Sequence, residues 1–179
     1  MFWRRRLPHW VPEDSIVFVT WRLAGTLPRP EPALLINDPR TVRSQGPRWL
    51  ENPKIAAVFV EALLYGERVR GSYDLFAWAV MPNHVHIVLK PHEKLAEVVR
   101  WVKTASAARA NRLTGRVGQP FWQREYFDTW MRTSQELASV IAYVEENPVA
   151  AGLARRAEDW PWSSASKYTG GETAGAPNM

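Results

Sequence analysis

The chain has 179 residues, a length typical of one domain, and 46% of them are hydrophobic and 23% charged. That balance excludes a disordered chain, and no apolar run approaches the roughly 18 residues that a membrane span requires. The chain has no cysteine, which excludes disulfides, thiolate metal sites and thiol nucleophiles.

The charge of the chain is basic, and arginine supplies most of it. The net charge is +5, and 18 of the 23 basic residues are arginine, whose planar fork matches phosphate oxygens. Ten tryptophans accompany them, and aromatic rings stack on unpaired bases. Composition alone leaves two alternatives, a nucleic-acid-binding protein and a basic protein with a tryptophan-rich core. Pro8 interrupts the basic N-terminus where a secretion signal needs an apolar run, so we expect a cytoplasmic protein.

The first half of the chain predicts a strand, a long loop and a helix. Residues 16–23 are almost continuously β-branched and aromatic, which indicates a buried strand. Residues 24–48 contain five prolines and two glycines, which favours a loop or an irregular insertion rather than a domain boundary. Apolar residues at helical spacing predict the first helix over 53–69.

The second half begins with a predicted β-hairpin. Residues 74–81 and 84–90 have strand character on either side of Pro82-Asn83, which supplies the turn. The second helix is expected over 95–113, because glycines follow that segment. The aromatic-rich residues 121–131 are expected to contain the next strand.

The third helix has the clearest boundary signals in the chain. Thr133 is its expected N-cap, and Glu136 stands three residues later, as in a capping box. Pro148 is expected to end the helix after Glu146 or Asn147, because proline lacks the backbone N–H that a helix needs.

The predicted order β, α, β, β, α, β, α defines an α+β fold class. We expect a ferredoxin-like or RRM-like antiparallel sheet with helices packed on one face, followed by a C-terminal extension. Residues 1–165 are expected to form this single domain, with 24–48 as its loop or insertion. The glycine-rich tail over 166–179 is expected to be disordered.

A pair of histidines provides the first chemical signal. His84 and His86 are two residues apart in a predicted strand, so both imidazoles point to one face while Val85 points to the other. Such a pair forms half of a site for a divalent metal ion. The alternative is two polar residues on a solvated sheet face, and the spacing alone does not decide between them.

The third helix carries the second signal. Tyr143 and Asn147 are four residues apart and therefore share one helix face. A tyrosine hydroxyl can form a covalent phosphate ester, and an asparagine carbonyl oxygen can bind a hard cation. The alternative is a packed core aromatic and a polar residue at the helix end.

Six segments taken together resemble one family. They are LPHW (7–10), FVTWRL (18–23), AVMPNHVHIVL (79–89), GQPFWQ (118–123), YVEENPVAAGL (143–153) and WPWSS (160–164). This set closely resembles the REP-associated tyrosine transposases of the single-tyrosine HUH superfamily, in which a bulky hydrophobic residue, here Val85, separates two histidines. The resemblance covers most of residues 1–165.

The resemblance implies a site and an activity. It implies that His84, His86 and Asn147 bind one divalent ion, Mg²⁺ or Mn²⁺, and that Tyr143 is the nucleophile. The implied activity is cleavage and strand transfer of single-stranded DNA with imperfect hairpins, through a 5′-phosphotyrosine intermediate. Relatives include monomers and homodimers, so the oligomeric state stays open.

Basic and polar residues outside this set are candidates for DNA binding. Each of them has the alternative of being part of an ordinary solvated surface. The candidates are Arg4, Arg5 and Arg6 near the N-terminus, Arg100, Lys103, Arg109 and Arg112 in the second helix, and Gln123 and Arg124.

Two other functions remain open from the sequence. A domesticated hairpin DNA- or RNA-binding protein would keep the fold without cleaving its ligand, although RNA-recognition modules read bases with aromatic residues on the sheet, where this chain has His84 and His86. A metal-dependent phosphoesterase would use water as the nucleophile and form no covalent intermediate. In that case Tyr143 would be a core aromatic.

Overall fold

The computed structural model describes residues 11–26 and 46–166. Three predictions lie outside the described residues: the arginines at positions 4 to 6, residues 27–45 of the proline-rich segment, and the tail from residue 167 onward. Within the described residues, no helix is long and apolar enough to cross a membrane.

Four strands and three α-helices of the described chain follow the predicted order. They are β1 (Val17–Arg22), α1 (Pro53–Arg68), β2 (Tyr73–Val80), β3 (His84–Pro91), α2 (Leu95–Leu113), β4 (Phe127–Trp130) and α3 (Ser134–Ala150). The bounds of α2 are those predicted, because the glycines that follow it favour a helix end at that point.

The strands form one antiparallel sheet with the order β2-β3-β1-β4. A β-α-β-β-α-β chain in this order is ferredoxin-like, so the predicted fold class is confirmed. The central strands β1 and β3 pair so that Thr20 lies opposite His86, and Arg22 lies opposite His84. β1 is buried along its whole length, which explains its continuous run of apolar residues.

Helices α1 and α2 pack on one face of the sheet. That face carries the odd-numbered side chains of β1, including Val19 and Trp21, and Ile87 of β3. They meet Phe59 of α1 and Val102 of α2 in the larger hydrophobic core. Burial of each such side chain contributes about 1.5–3 kcal/mol, so this face holds the fold together.

Helix α3 packs on the opposite face of the sheet, which differs from the expectation that the helices share one face. The second face of the sheet also carries apolar side chains, among them Phe18, Ala79 and Val88. Val144 and the half-buried Ile141 of α3 cover them. Small residues in β2 leave room for this third layer, which brings α3 over the face that carries the histidines.

The start of α3 has the predicted N-cap, but the Glu136 side chain bonds to a different backbone N–H from the one expected in a capping box. Thr133 is the N-cap, and its Oγ1 accepts a hydrogen bond from the Glu136 N–H at 3.1 Å. The Glu136 carboxylate accepts a bond from the Arg132 N–H at 2.7 Å, one residue before the cap. Both bonds satisfy backbone donors that a helix N-terminus leaves open.

The end of α3 corrects the prediction, because the helix continues through Pro148 to Ala150. Gly152 is the real stop signal, with φ of +71°. Its N–H donates to the Val149 carbonyl at 2.9 Å, and the Leu153 N–H donates to the Pro148 carbonyl at 2.8 Å. These two bonds form a Schellman motif, whose left-handed residue is usually glycine. The single hydrogen bond that Pro148 removes is tolerated so close to the helix end.

Candidate functional site

The two histidines form a buried pair beneath α3. His84 is 1% exposed and His86 is 4% exposed, and their Nε2 atoms lie 3.1 Å apart. The Nδ1–H of His84 donates to Oδ1 of Asn83 at 2.7 Å, which directs the Nε2 lone pair of His84 toward His86. The pair is therefore buried and oriented, not spread over a solvated sheet face.

Tyr143 lies next to this pair, on the side of His86. The ring centroids of Tyr143 and His86 are 5.8 Å apart, with an angle of 70° between the ring planes. Phe18 contacts both rings, since it stacks on His86 at 5.6 Å and meets Tyr143 edge-on at 6.2 Å. Residues from β1, β3 and α3 thus converge, and the half-buried tyrosine is placed against an imidazole.

Asn147 lies one helical turn beyond Tyr143 and is half-buried. The four-residue spacing puts both side chains on one face of α3, near its C-terminal end. Within residues 11–26 and 46–166, no group of three or more His, Cys, Asp or Glu side chains could hold a metal ion. The candidate set here is of another kind, two imidazoles and an amide oxygen, and its use as a metal site stays a prediction.

The C-terminal segment 160–164 holds α3 against the sheet. It runs along β2, where the Val80 N–H donates to the Trp162 carbonyl at 2.8 Å and the Ser164 N–H donates to the Trp78 carbonyl at 2.9 Å. The Ser164 hydroxyl donates to Glu145 of α3 at 2.8 Å. These bonds cover part of the exposed edge of β2 and limit how far the tyrosine helix can move from the histidines.

Sequence reasoning missed two residues that shape this site. The sequence predicts Asn83 only as part of the turn, but the residue is fully buried and orients His84. The sequence predicts Phe18 only as a strand residue, but its ring contacts both His86 and Tyr143. The signal for Asn83 is its position directly before the histidine, whereas the contact of Phe18 depends on strand pairing that the sequence does not display.

Four of the predicted DNA-binding residues line one open groove of about 620 Å³ between α2 and residues 119–126. They are Arg100, Lys103, Gln123 and Arg124. The structure therefore brings these four together. Because α2 lies on the face of the sheet opposite to the histidines, the groove is separate from the histidine pair.

Two of these four side chains have structural partners within the groove. The ammonium of Lys103 donates to the backbone carbonyls of Gln123, Arg124 and Glu125 at 3.1, 3.2 and 3.1 Å. Burial lowers the pKa of Lys103 to about 8. The Gln123 amide donates to the carbonyl and hydroxyl oxygens of Thr26 at 2.8 and 2.6 Å. Both side chains hold the 123–125 segment in place, which weakens the prediction that they bind DNA directly.

The remaining arginines of this set lie on the surface. Arg100 forms an ion pair with Glu97, and Arg109 pairs with Glu61 of α1 at 2.6 Å. Arg112, in the last turn of α2, and Arg124 are exposed. Exposed pairs of this kind contribute little to stability, so these side chains can exchange their partners for phosphate at small cost.

The fold and the site define the class of protein, and comparison with known proteins agrees. The family model described as "Transposase IS200 like" matches residues 59–147, about half of the chain. The matched segment begins in α1 and ends at Asn147, so it includes both histidines and Tyr143. The chain belongs to this family of IS200-like transposases.

Two individual proteins support a closer resemblance within that family. A curated protein of Haemophilus influenzae, named "Putative REP-associated tyrosine transposase", is 25% identical over 103 residues. The match covers 51% of this chain and 58% of that relative, so the chain spans less than two thirds of the relative's length.

A solved structure has the same fold. Its description reads "Structure of the REP associates tyrosine transposase bound to a REP hairpin", and it matches with a TM-score of 0.62 at 18% identity. The match covers 92% of this chain and 82% of that chain. The resemblance to the REP-associated tyrosine transposases is thereby confirmed, and at this identity the structural match establishes the fold.

Proposed function

We propose that this transposase-family chain is a single-stranded DNA endonuclease and strand transferase that uses Tyr143 as its nucleophile. The observation that carries the proposal is the placement of the Tyr143 ring 5.8 Å from His86, beside two imidazoles whose Nε2 atoms are 3.1 Å apart. A hydroxyl nucleophile next to two imidazole nitrogens that can bind a metal ion is suited to attack a phosphate.

The proposed substrate is single-stranded DNA that carries an imperfect hairpin. The solved relative is described as bound to a REP hairpin, and this chain has a net charge of +5, which favours binding to a phosphate backbone. We place the activity in the cytoplasm, with the chain acting as a monomer or a homodimer.

The donor set fits a hard or borderline divalent cation. His84 and His86 direct two nitrogen atoms at one another across a gap of 3.1 Å, and Asn147 supplies an amide oxygen on the facing helix. The Asn147 oxygen suits Mg²⁺ or Mn²⁺, and the two imidazole nitrogens favour Mn²⁺ over the harder Mg²⁺. A bound ion would polarise a phosphate oxygen as a Lewis acid.

The covalent step that we propose exchanges one phosphate ester for another. The Tyr143 oxygen forms a bond to phosphorus as the bond to the 3′ oxygen of the upstream strand breaks. The phenolic proton passes to solvent, the departing 3′ oxygen takes a proton from solvent to become a 3′-hydroxyl, and the downstream strand stays attached as a 5′-phosphotyrosine. Because the ester bond energy is retained, a 3′-hydroxyl of another strand can reverse the step and complete strand transfer without ATP.

The first test uses single-stranded hairpins, labelled at the 5′ or the 3′ end, incubated with and without Mn²⁺. A labelled band that migrates with the protein and survives SDS is the expected intermediate. Tyr143→Phe should reduce this band by at least about 10⁴-fold, because it removes the attacking oxygen. Hairpin binding should be unchanged, because the ring contacts with Phe18 and His86 remain.

Tyr65→Phe is the matched control, since Tyr65 is 52% exposed on α1 and remote from the histidines. Cleavage without an SDS-stable band would favour water as the nucleophile, and then Tyr143→Phe would have little effect whereas His84→Ala would abolish cleavage. Tight hairpin binding without cleavage at any metal concentration would instead favour the non-cleaving binding protein.

A further inference from the structure

We infer that Arg22 forms a phosphate-binding subsite beside the histidine pair. The sequence alone places Arg22 in the first predicted strand and in the segment FVTWRL and predicts no role for its side chain. The inference rests on the proposed function in one respect, since it takes the bound phosphate to be the one that Tyr143 attacks.

The position of Arg22 follows from the register of the sheet. Arg22 lies directly opposite His84 in the antiparallel pairing of β1 with β3, and Thr20 lies opposite His86. Directly opposed residues share a face of the sheet, with their Cβ atoms about 4.5–5.5 Å apart. The side chain of Arg22 therefore starts within one side-chain length of the His84 imidazole.

The contacts of Phe18 identify the face. Side chains alternate along a strand, so Phe18, Thr20 and Arg22 project to the same side of β1. Phe18 stacks on His86 and contacts Tyr143, whereas Val19 and Trp21 lie in the core beneath α1 and α2. Arg22 consequently belongs to the face that carries the histidines and the tyrosine.

The backbone of Arg22 is held on both sides. β3 pairs with it on one side, and on the other side its carbonyl accepts a hydrogen bond from the Gln123 N–H at 2.8 Å. The residue is 8% exposed, so its charge is positioned within the protein and not on a solvated surface. Because the strand is fixed in this way, the Arg22 side chain extends from a fixed backbone position. This favours specific recognition of a phosphate over general charge attraction.

The chemistry of a guanidinium matches the phosphate that this site would hold. Two N–H groups of arginine can bind two non-bridging phosphate oxygens at once, and the charge is retained at any physiological pH. Tyr143 lies at the His86 end of the pair and Arg22 at the His84 end. A phosphodiester lying across the two imidazoles would thus have the nucleophile at one end and a fixed cation at the other.

The binding test uses the metal-free protein and the dinucleotide TpT, with the imidazole NMR signals of His84 and His86 as the readout. We expect TpT to shift these signals, and Arg22→Gln to weaken binding by about 10- to 100-fold, as for loss of a charge-assisted hydrogen bond. Arg22→Lys, which keeps the charge but loses the fork, should fall between. Arg70→Gln, an exposed arginine paired with Glu93, is the control and should bind TpT as the unaltered chain does.

The kinetic test compares two hairpin substrates, one with a normal phosphodiester and one with a methylphosphonate at the cleaved position. Arg22→Gln should slow formation of the SDS-stable adduct by about 10²- to 10³-fold on the diester, the usual cost of removing one donor to a developing charge. The loss should be less than about fivefold on the methylphosphonate, which lacks the charge that Arg22 would bind.

Equal losses on both substrates would overturn the inference, because a merely structural arginine would not distinguish them. It would also be overturned if TpT failed to shift the histidine signals of the unaltered chain, or bound equally well to Arg22→Gln. The failure of the proposed function looks different: the unaltered chain would then form no adduct with any hairpin, whereas TpT binding would still depend on Arg22.

Discussion

At the scale of single residues, Asn83 determines how the histidine pair is presented. Its side-chain oxygen accepts the Nδ1–H of His84 at 2.7 Å, and its backbone carbonyl accepts the Leu23 N–H at 2.9 Å. The first bond fixes the tautomer of the imidazole, and the second fixes the turn against the end of β1. Partners of this kind orient metal-binding histidines in proteins and raise the basicity of the ligating nitrogen.

Asn83→Ala is expected to weaken Mn²⁺ binding by about 10- to 100-fold, because His84 would lose its orienting acceptor. The buried Nδ1–H would also be left unsatisfied, at a cost of about 1–3 kcal/mol in the free energy of unfolding. Titration with Mn²⁺, followed by calorimetry, measures the first effect, and chemical denaturation measures the second. Asn83→Asp keeps an acceptor oxygen and should bind Mn²⁺ at least as tightly as the unaltered chain. Equal affinity for Asn83→Ala would contradict the orienting role.

At the scale of elements, α3 determines where the nucleophile lies. The helix begins at a capped threonine, packs on the second face of the sheet and is tied to β2 through Glu145 and Ser164. Its last turn carries Asn147 and ends in the Schellman motif at Gly152. The positions of Tyr143 and Asn147 relative to the histidines therefore depend on how well this helix is ordered.

Gly152→Ala tests that dependence, because a left-handed residue other than glycine costs about 1–2 kcal/mol. Nothing lies within 4 Å of the added Cβ, so the cost arises from the backbone alone. We expect a lower free energy of unfolding and a slower formation of the covalent adduct, by about fivefold, the factor that corresponds to about 1 kcal/mol.

Gly115→Ala is the matched control for this change. Gly115 has a φ of +66°, follows the end of α2 and also has nothing within 4 Å of its added Cβ. It should lose similar stability without slowing adduct formation in the folded protein. A similar slowing in both variants would show that general stability, and not the order of α3, limits the reaction.

At the scale of the whole molecule, one face of the sheet carries most of the hydrophobic core and the other face carries the candidate catalytic residues. The face beneath α1 and α2 holds the larger core, whereas the face beneath α3 holds the histidines, Tyr143 and a smaller apolar cluster. The close packing of α1 against β2 depends on Gly66, which leaves room for the Tyr73 ring. The Tyr73 hydroxyl donates to the Leu63 carbonyl of α1 at 2.5 Å.

Gly66→Ala is expected to destabilise the protein although alanine favours a helix by about 1 kcal/mol over glycine. The added Cβ would overlap the Tyr73 hydroxyl and lie 2.8 Å from Cζ of the buried ring, and overpacking of this kind costs about 1–3 kcal/mol. Thermal unfolding should show a lower Tm than for the unaltered chain, and an equal or higher Tm would show that the Tyr73 ring moves aside for the added Cβ. Below the transition, adduct formation per folded molecule should be unchanged; a large loss would show that the two faces are coupled.

Features of this protein that depend on neighbouring residues could be predicted from the sequence, whereas features that depend on distant contacts could not. Helix and strand positions depend on patterns a few residues long, so the seven elements and the bounds of α2 could be predicted from the sequence. The histidine pair and the Tyr143–Asn147 spacing are local in the same sense, as are the arginines. The end of α3 was missed because the left-handed Gly152, four residues beyond Pro148, is the stronger stop signal.

The sequence by itself determined the fold class, the family and which side chains are candidates, because each depends on residue type and spacing along the chain. Only the tertiary structure decided which candidates meet. The packing of α3 on the second face brings Tyr143 to His86, and strand register places Phe18 and Arg22 beside the pair. The fold also gives Lys103 three carbonyl partners from a distant segment, and its role in DNA binding stays a prediction. Contacts of this kind join residues far apart in the chain, and no periodic pattern in the sequence encodes them.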